Sequence, residues 1–362
     1  MCKCACANKP EADGYRKAGK VVDENILKII YNNGVPVAEK RKEPPVEKLI
    51  DINAYPVSVC LKKLLKDKTT GGNIIWATDA YSAEGTGFAD TDEMKEYAIR
   101  SREDLIKPRI DKSDDEKQKR TRKKAEVFTP VWLCNQMNNF CDEEWFGRKD
   151  VFNVLHDDHT WDVVEGKVEF PEDKSWQDYI ISTRLEITCG EAPFLVSRYD
   201  AATGKLIEPP KKRIGQLDRK IRIVNENAEN YDEWMEWTRK SFECVYGYEY
   251  QGDSLLIARI NLLLTFIDYY RERWEKDPSE KELDEIITRI VWNIWQMDGL
   301  KDTIPLGKPG QEEYHQMSLF EMVDQLDEEK EDKEERIALP CKIRDWRNKK
   351  PKTIVFKDLK EK

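Results

Sequence analysis

Three carboxylates in this chain each stand where a short apolar run gives way to a turn. Glu186 lies in Arg184-Leu-Glu-Ile187 and leads into Thr188-Cys-Gly-Glu-Ala-Pro-Phe-Leu195. Glu249 closes Val245-Tyr-Gly-Tyr-Glu249, and Asp298 follows Trp292-Asn-Ile-Trp-Gln-Met297 and precedes Gly299. In an open α/β sheet, ligands sit beyond the carboxyl ends of the strands, where an acid can accept hydrogen bonds from ribose hydroxyls. Cys189-Gly190 would make the turn after the first strand, and glycine obstructs a ligand least. The chemistry implied is the grip on a polar, hydroxyl-bearing cofactor. Each piece also has a plainer reading: a strand and turn with Pro193 as breaker, and an Asp-Gly turn at Asp298.

The elements that must position these acids follow from patterning. Arg184–Ile187 and Val245–Glu249 read as strands. Asp253–Leu263 reads as a helix, with Leu255, Leu256, Ala258 and Leu262 at packing intervals. Thr129-Pro130 ahead of Val131 suits a helix start, with the Thr129 hydroxyl accepting an early backbone N–H and Pro130 in the first turn. Further upstream, Val57–Lys66 has helical spacing, Thr69-Thr-Gly-Gly72 reads as a turn and Asn73–Ala77 as a short strand. The fold class expected is α/β. Its parts would be a polar N-terminal arm over 1–45, an α/β unit and basic linker over 46–124, a main domain over 125–309 with an insertion at 141–180, and an acidic tail over 310–362.

Composition bounds the function. Of 362 residues, 39% are hydrophobic and 36% charged, and 11 Trp, 14 Tyr and 11 Phe supply a core. The net charge of −10 excludes a globally basic nucleic-acid binder. Any DNA contact would come from a local block, and Lys117-Gln-Lys-Arg-Thr-Arg-Lys-Lys124 is the strongest, with Lys119, Arg120, Arg122, Lys123 and Lys124 as phosphate-contact candidates. A solvated linker is the plainer reading. No apolar run of about 18 residues is present, so no membrane span is expected, and the start lacks the apolar region of a secretory signal. The chain reads as cytoplasmic, with its nine cysteines mostly reduced thiols. Cys2, Cys4 and Cys6 have no fourth ligand nearby, and His156, His159 and His315 are scattered, so no metal site is expected.

With these residues in view, the chain resembles amino-DNA methyltransferases dependent on S-adenosylmethionine (SAM). Glu186, Cys189, Gly190, Phe194 and Leu195 fit that family's SAM loop, (D/E)-P-x-C-G-(S/T)-G-x-F-L, with Ile187 replacing the proline and Ala192 the second glycine. Phe128-Thr-Pro130 resembles the (F/Y)-T-P element that contacts the methionine end of SAM, though more than fifty residues separate Thr129 from Glu186. Glu249, with Ala258 nine residues later and then Asn261-Leu262, matches the ribose-binding segment. Trp292–Leu300 resembles N-I-x-x-x-D-(S/G)-L, whose acid reads the adenine amino group. The resemblance implies a Rossmann-like methyltransferase fold of the seven-stranded type, with an N-terminal extension and an acidic C-terminal tail. It places SAM against Phe128, Thr129, Pro130, Glu186, Thr188, Cys189, Gly190, Glu249, Tyr250, Asp298 and Gly299.

The family's acceptor element, (D/N/S)-P-P-(Y/F/W), has no counterpart after Asp298. Its aromatic stacks on a base swung out of the duplex. Asn293 and Trp295, in Asn293-Ile-Trp-Gln296, are the weak catalytic candidates. Cys341, in Leu339-Pro-Cys341, is a remote nucleophile candidate. The function expected is adenine-N6 DNA methylation in a restriction–modification or mobile-element system, with DNA and a restriction or specificity subunit as partners. The alternative is an inactive SAM- or DNA-binding subunit. Gln316-Met-Ser-Leu-Phe320 resembles the bacterial sliding-clamp-binding peptide at all five positions; its plainer reading is a helical turn with Leu319, Phe320 and Met322 buried.

Overall fold

A short parallel sheet and the long helix behind it organise the chain, seen in a computed structural model that describes residues 29–32, 35–38, 48–102, 104–115, 117–118, 129–308, 337–348 and 350–360. The basic block from Lys119 to Lys124, Phe128, the Cys2–Cys6 run, His315 and the clamp-like Gln316, Met317, Ser318, Leu319 and Phe320 lie outside the described residues. Contacts divide the chain into two units, 1–48 and 49–362. In the first, β1 (Ile29–Asn32) and β2 (Val35–Ala38) pair antiparallel, Ile29 opposite Ala38.

The second unit begins with α1 (Val57–Leu64) and the short α2 (Glu96–Arg100). Next come α3 (Val131–Phe146), the hairpin β3 (Asn153–Leu155) and β4 (Trp161–Val163), and α4 (Trp176–Ile181). After β5 (Arg184–Glu186) follow α5 (Gln216–Asn227), α6 (Tyr231–Glu243) and β6 (Val245–Glu249). The chain continues through α7 (Gly252–Trp274), α8 (Glu280–Asn293) and β7 (Ile294–Gln296), and β8 (Lys342–Asp345) and β9 (Lys352–Val355) form a last hairpin.

β5, β6 and β7 form a parallel sheet in that order, with Glu186 opposite Gly247 and Glu249 opposite Gln296. The fold is therefore α/β with a parallel sheet. The seven strands expected are not seen: among the described residues this sheet has three, because the other strand-forming segments close on themselves as antiparallel hairpins. Helix α7 is apolar around most of its circumference and is buried from Gly252 through Leu263, as such a helix must be. One face of the sheet packs on it. The other carries Tyr248 and Trp295, covered by Ile343 and Phe356 of the C-terminal hairpin.

The expected boundary near residue 124 separates no two bodies. Leu61, Leu64 and Trp76 share one core with Leu256, Ile260 and Ile287. Trp76 O accepts from Gly252 N at 2.9 Å. The buried Lys112 ammonium meets Asp253 Oδ2 at 3.1 Å, and Tyr81 donates to the same oxygen at 2.7 Å. The presumed insertion at 141–180 is likewise core, since Phe146, Phe152 and Tyr179 form one aromatic cluster. The end of the presumed acidic tail is the hairpin β8–β9.

Two side chains hold the sheet in place. Gln296, at the end of β7, accepts from Ile75 N at 2.9 Å and donates to Ile75 O and Tyr250 O at 2.8 Å each. The segment read as a strand at Asn73–Ala77 thus pairs with a side-chain amide. Arg259, fully buried on α7, donates to Ile294 O at 2.8 Å, Leu64 O at 2.5 Å and Lys66 O at 2.9 Å. It satisfies carbonyls at the end of α1 and at the α8–β7 junction that would otherwise be orphaned. Replacing Arg259 by Met strands those acceptors without adding volume. We expect a loss of at least about 3 kcal/mol, read as a lowered urea midpoint at unchanged slope.

Candidate functional site

The sheet's carboxyl end opens into a cavity of about 790 Å³ whose lining includes Thr129, Glu186, Thr188, Cys189, Gly190, Glu249 and Tyr250. Local forces place each. Lys220, fully buried, donates to Tyr179 O, Ile180 O and Ser182 O at 2.7–2.8 Å, capping the last carbonyls of α4 and setting the start of β5. Gly247 then lets Cys189 lie against β6, since a Cβ there would meet Cys189 Sγ at 3.3 Å.

After Glu186 the chain turns back on itself. Cys189 N donates to Tyr248 O at 2.8 Å, and Ala192 N to Cys189 O at 2.7 Å. Thr188, Gly190 and Ala192 all adopt left-handed φ, of 48°, 53° and 64°. Such geometry costs a non-glycine residue about 1–2 kcal/mol. Ala192 stands where the resemblance has its second glycine, and it takes a glycine's conformation.

Two buried carboxylates hold this turn. Glu186 accepts from Phe194 N at 3.3 Å and Leu195 N at 3.2 Å. Glu249 accepts from Gly190 N at 2.9 Å and Gln251 N at 3.1 Å. Burial pushes the Glu186 carboxyl up to about 8, against the lowering effect of the two N–H groups and with Glu249 adding to the rise. Burial raises Glu249 as well. Cys189 is buried, and desolvation raises its thiol far above the ordinary range, so it serves as packing.

The expected acids share one sheet end, yet their environments differ. Asp298 follows β7 by two residues but does not line the cavity. Its Oδ1 accepts from Leu300 N at 3.0 Å and its Oδ2 lies 3.7 Å from Lys301 Nζ. Gly299 packs on the Tyr248 ring. The pair forms the Asp-Gly turn that is its plainer reading. Thr129 lines the cavity, but Pro130 is the N-cap of α3 and no side chain caps that end, so the expected Thr129 cap is corrected. A proline at the cap leaves the preceding threonine outside the helix, turned to the cavity wall.

Asn293 and Trp295 are structural. Asn293 is buried, donates to Phe242 O and Val245 O at 2.9 and 3.1 Å, and accepts from Trp346 Nε1 at 2.8 Å. Trp295 packs between Tyr248 and Phe356 on the face away from the cavity. Cys341 is buried with Sγ donating to Gln296 O at 3.4 Å, and desolvation raises its thiol, which removes it as a nucleophile. His156 pairs with Asp162 at 3.0 Å and His159 stacks on Trp132, so neither makes a ligand cluster. Among the described residues no group of three metal-ligating side chains exists, and no helix is long and apolar enough to cross a membrane.

Sequence reasoning missed the cavity's second wall. Glu191 accepts from Tyr199 OH at 2.8 Å and from Arg109 N at 2.6 Å, and Asn261 donates to Glu191 O at 3.1 Å and to Tyr199 OH at 3.2 Å. Arg198, beside it, is held by Asp268 at 3.0 Å. Only Glu191 and Asn261 lay within motifs singled out in the sequence. Tyr199 and Arg109 reach the site through tertiary contacts that no spacing announces. Comparisons with known protein families, with curated proteins and with solved structures find no match.

The raised Glu186 carboxyl has a direct consequence. Its folded-state value near 8 exceeds the ordinary value near 4.3, so the folded chain binds more protons than the unfolded one across that window. This contribution to stability is present below about pH 4.3 and is lost as pH rises towards 8. We expect Glu186→Gln to flatten the decline of the urea midpoint between pH 5 and 8; an unchanged slope against pH would refute the assignment.

Proposed function

We propose that the cavity holds SAM and that the chain is the cofactor-binding part of an adenine-N6 DNA methyltransferase with a Rossmann-like fold. The observation that carries this reading is the placement of Glu186 and Glu249 at the ends of neighbouring parallel strands, joined through the Gly190 turn. Crevices at such strand ends are where nucleotide-like ligands bind in open α/β sheets.

The residues fit the cofactor. A Cβ built on Gly190 would project into open space, so nothing of the protein fills the place where a ligand would meet the turn. Each Glu249 oxygen accepts one backbone N–H and keeps acceptor capacity for ribose hydroxyls. Thr129, Thr188 and Gly190 would face the methionine end, and Tyr250 the adenosine end. When bound, SAM supplies an electrophilic methyl group to an exocyclic amine. The protein's own part is to orient it and exclude water. Asp298 would reach the adenine only if its Asp-Gly turn rearranged. DNA would meet the basic residues 119–124, and a clamp would meet residues 316–320.

The competing reading, a subunit that binds SAM without methylating, is favoured by one observation: among the described residues the lining holds no acceptor element. Two measurements separate the cases. Calorimetry should show saturable SAM binding, weakened about 10- to 100-fold by Glu249→Ala, the loss of hydrogen bonds to a charged group. Absence of binding to the wild-type chain would end the proposal. Transfer of labelled methyl groups to unmethylated DNA then distinguishes enzyme from binding subunit.

A further inference from the structure

The turn after β5 serves two walls of the cavity with successive residues. Gly190 N donates to Glu249 at the strand ends. The next side chain, Glu191, belongs to the second wall: its Oε2 accepts from Tyr199 OH at 2.8 Å and its Oε1 from Arg109 N at 2.6 Å. Asn261, buried on α7, completes the group, with Nδ2 at 3.1 Å from Glu191 O and 3.2 Å from Tyr199 OH.

These contacts fix the direction of the hydrogens. A backbone carbonyl only accepts, so the amide nitrogen of Asn261 must face Glu191 O, and both its hydrogens are used. Tyr199 OH therefore accepts from Asn261, and its single hydrogen goes to Glu191. The bonds run one way, from Asn261 to Tyr199 to the Glu191 carboxylate, and hydrogen bonds in such a chain polarise one another. What a ligand meets at this group follows. The amide and phenol hydrogens are taken within the wall, so these three side chains offer acceptors and no donor.

Three carboxylates line the cavity, Glu186, Glu191 and Glu249. Glu186 and Glu249 are buried against the turn they hold, whereas Glu191 is half-buried. A carboxylate has about four acceptor positions and can hold a ligand N–H beside its protein donors. We propose that Glu191 receives an N–H of the amine that is methylated, with Tyr199 and Asn261 as the positioning residues that hold its carboxylate, a role that rests on the SAM reading above. The group selected at this wall is an exocyclic amine, which brings N–H donors. A carbonyl in the same place would set acceptor against acceptor.

The test compares two short single strands of DNA that differ at one base, adenine or purine, the latter lacking the exocyclic amine. Binding to the full-length chain is read by fluorescence anisotropy in saturating S-adenosylhomocysteine, so that no methyl group is transferred. We expect the wild-type chain to bind the adenine strand at least about tenfold more tightly, the effect of one hydrogen bond to a charged acceptor, and Glu191→Ala to bind the two strands equally. Tyr199→Phe keeps the carboxylate and removes the phenol, and it should narrow the difference at least about threefold. A merely structural tyrosine would lower the urea midpoint and leave the ratio of the two affinities as it is. Should Glu191→Ala show no urea transition, Tyr199→Phe decides by the same ratio. Equal affinity of the wild-type chain for the two strands, or binding of neither, overturns the proposal. So does a difference that persists in Glu191→Ala while S-adenosylhomocysteine affinity falls, which would give Glu191 to the cofactor's own amino group. Failure of the wild-type chain to bind SAM or S-adenosylhomocysteine would remove the cofactor reading alone, and the comparison of strands without cofactor would still decide whether Glu191 receives an amine.

Discussion

Burying two carboxylates at adjacent strand ends is the constraint on which the site depends. Glu186 and Glu249 lie where desolvation opposes charge, and each is offset by backbone N–H groups of the turn it faces. The dependence runs both ways. Without those N–H donors the carboxyls would be stranded in an apolar setting, and without the carboxyls the turn's donors would be buried and unsatisfied, a cost of about 1–3 kcal/mol each. The turn is thereby held with left-handed φ at three alternate positions, two of them, Thr188 and Ala192, strained for a residue with a side chain.

That local bargain works only because the strand ends are themselves fixed. β5 begins where Lys220 caps α4, and β7 begins where Arg259 gathers the carbonyls of α8. Gln296 replaces a missing strand neighbour by pairing with both backbone groups of Ile75. Each of these is a buried cation or amide whose hydrogen bonds go mainly to backbone. Long side chains that donate several hydrogen bonds can close helix ends and strand edges that a three-stranded sheet is too small to satisfy by itself.

Much of the architecture was legible where local chemistry decides. The helix at Val57–Lys66, the strands at Arg184–Ile187 and Val245–Glu249 and the first half of the helix after them, Asp253–Leu263, were readable from period and propensity, and the Cys189-Gly190 turn from its glycine. The misreadings share a cause. Asn293 and Trp295 have residue types suited to base chemistry, yet they sit on the sheet face and helix end that the C-terminal hairpin covers. Ile337–Phe356 is apolar enough to dock, but the sheet face that it covers could not be read from the sequence. Residues 46–124 looked like a separate unit because they end in a charged connector, but Ile75, Trp76 and Lys112 interlock with β7 and α7 through contacts more than a hundred residues apart. Tyr199 and Arg109 joined the cavity wall for the same reason.

The electrostatics of the cavity also limit what can enter it. Two acids with raised proton affinity, one the other's neighbour, make ionising both unfavourable in the empty site. A ligand that brings positive charge or several hydroxyl donors relieves this, because it supplies what the second ionised carboxylate lacks. An anionic ligand does the opposite at this wall, and across from it Arg198 is already held by Asp268 and Glu191 adds a further acid. Selection at the strand ends therefore rests on the two acids. Hydroxyl donors or a cationic group suit these strand ends, and a simple phosphate does not.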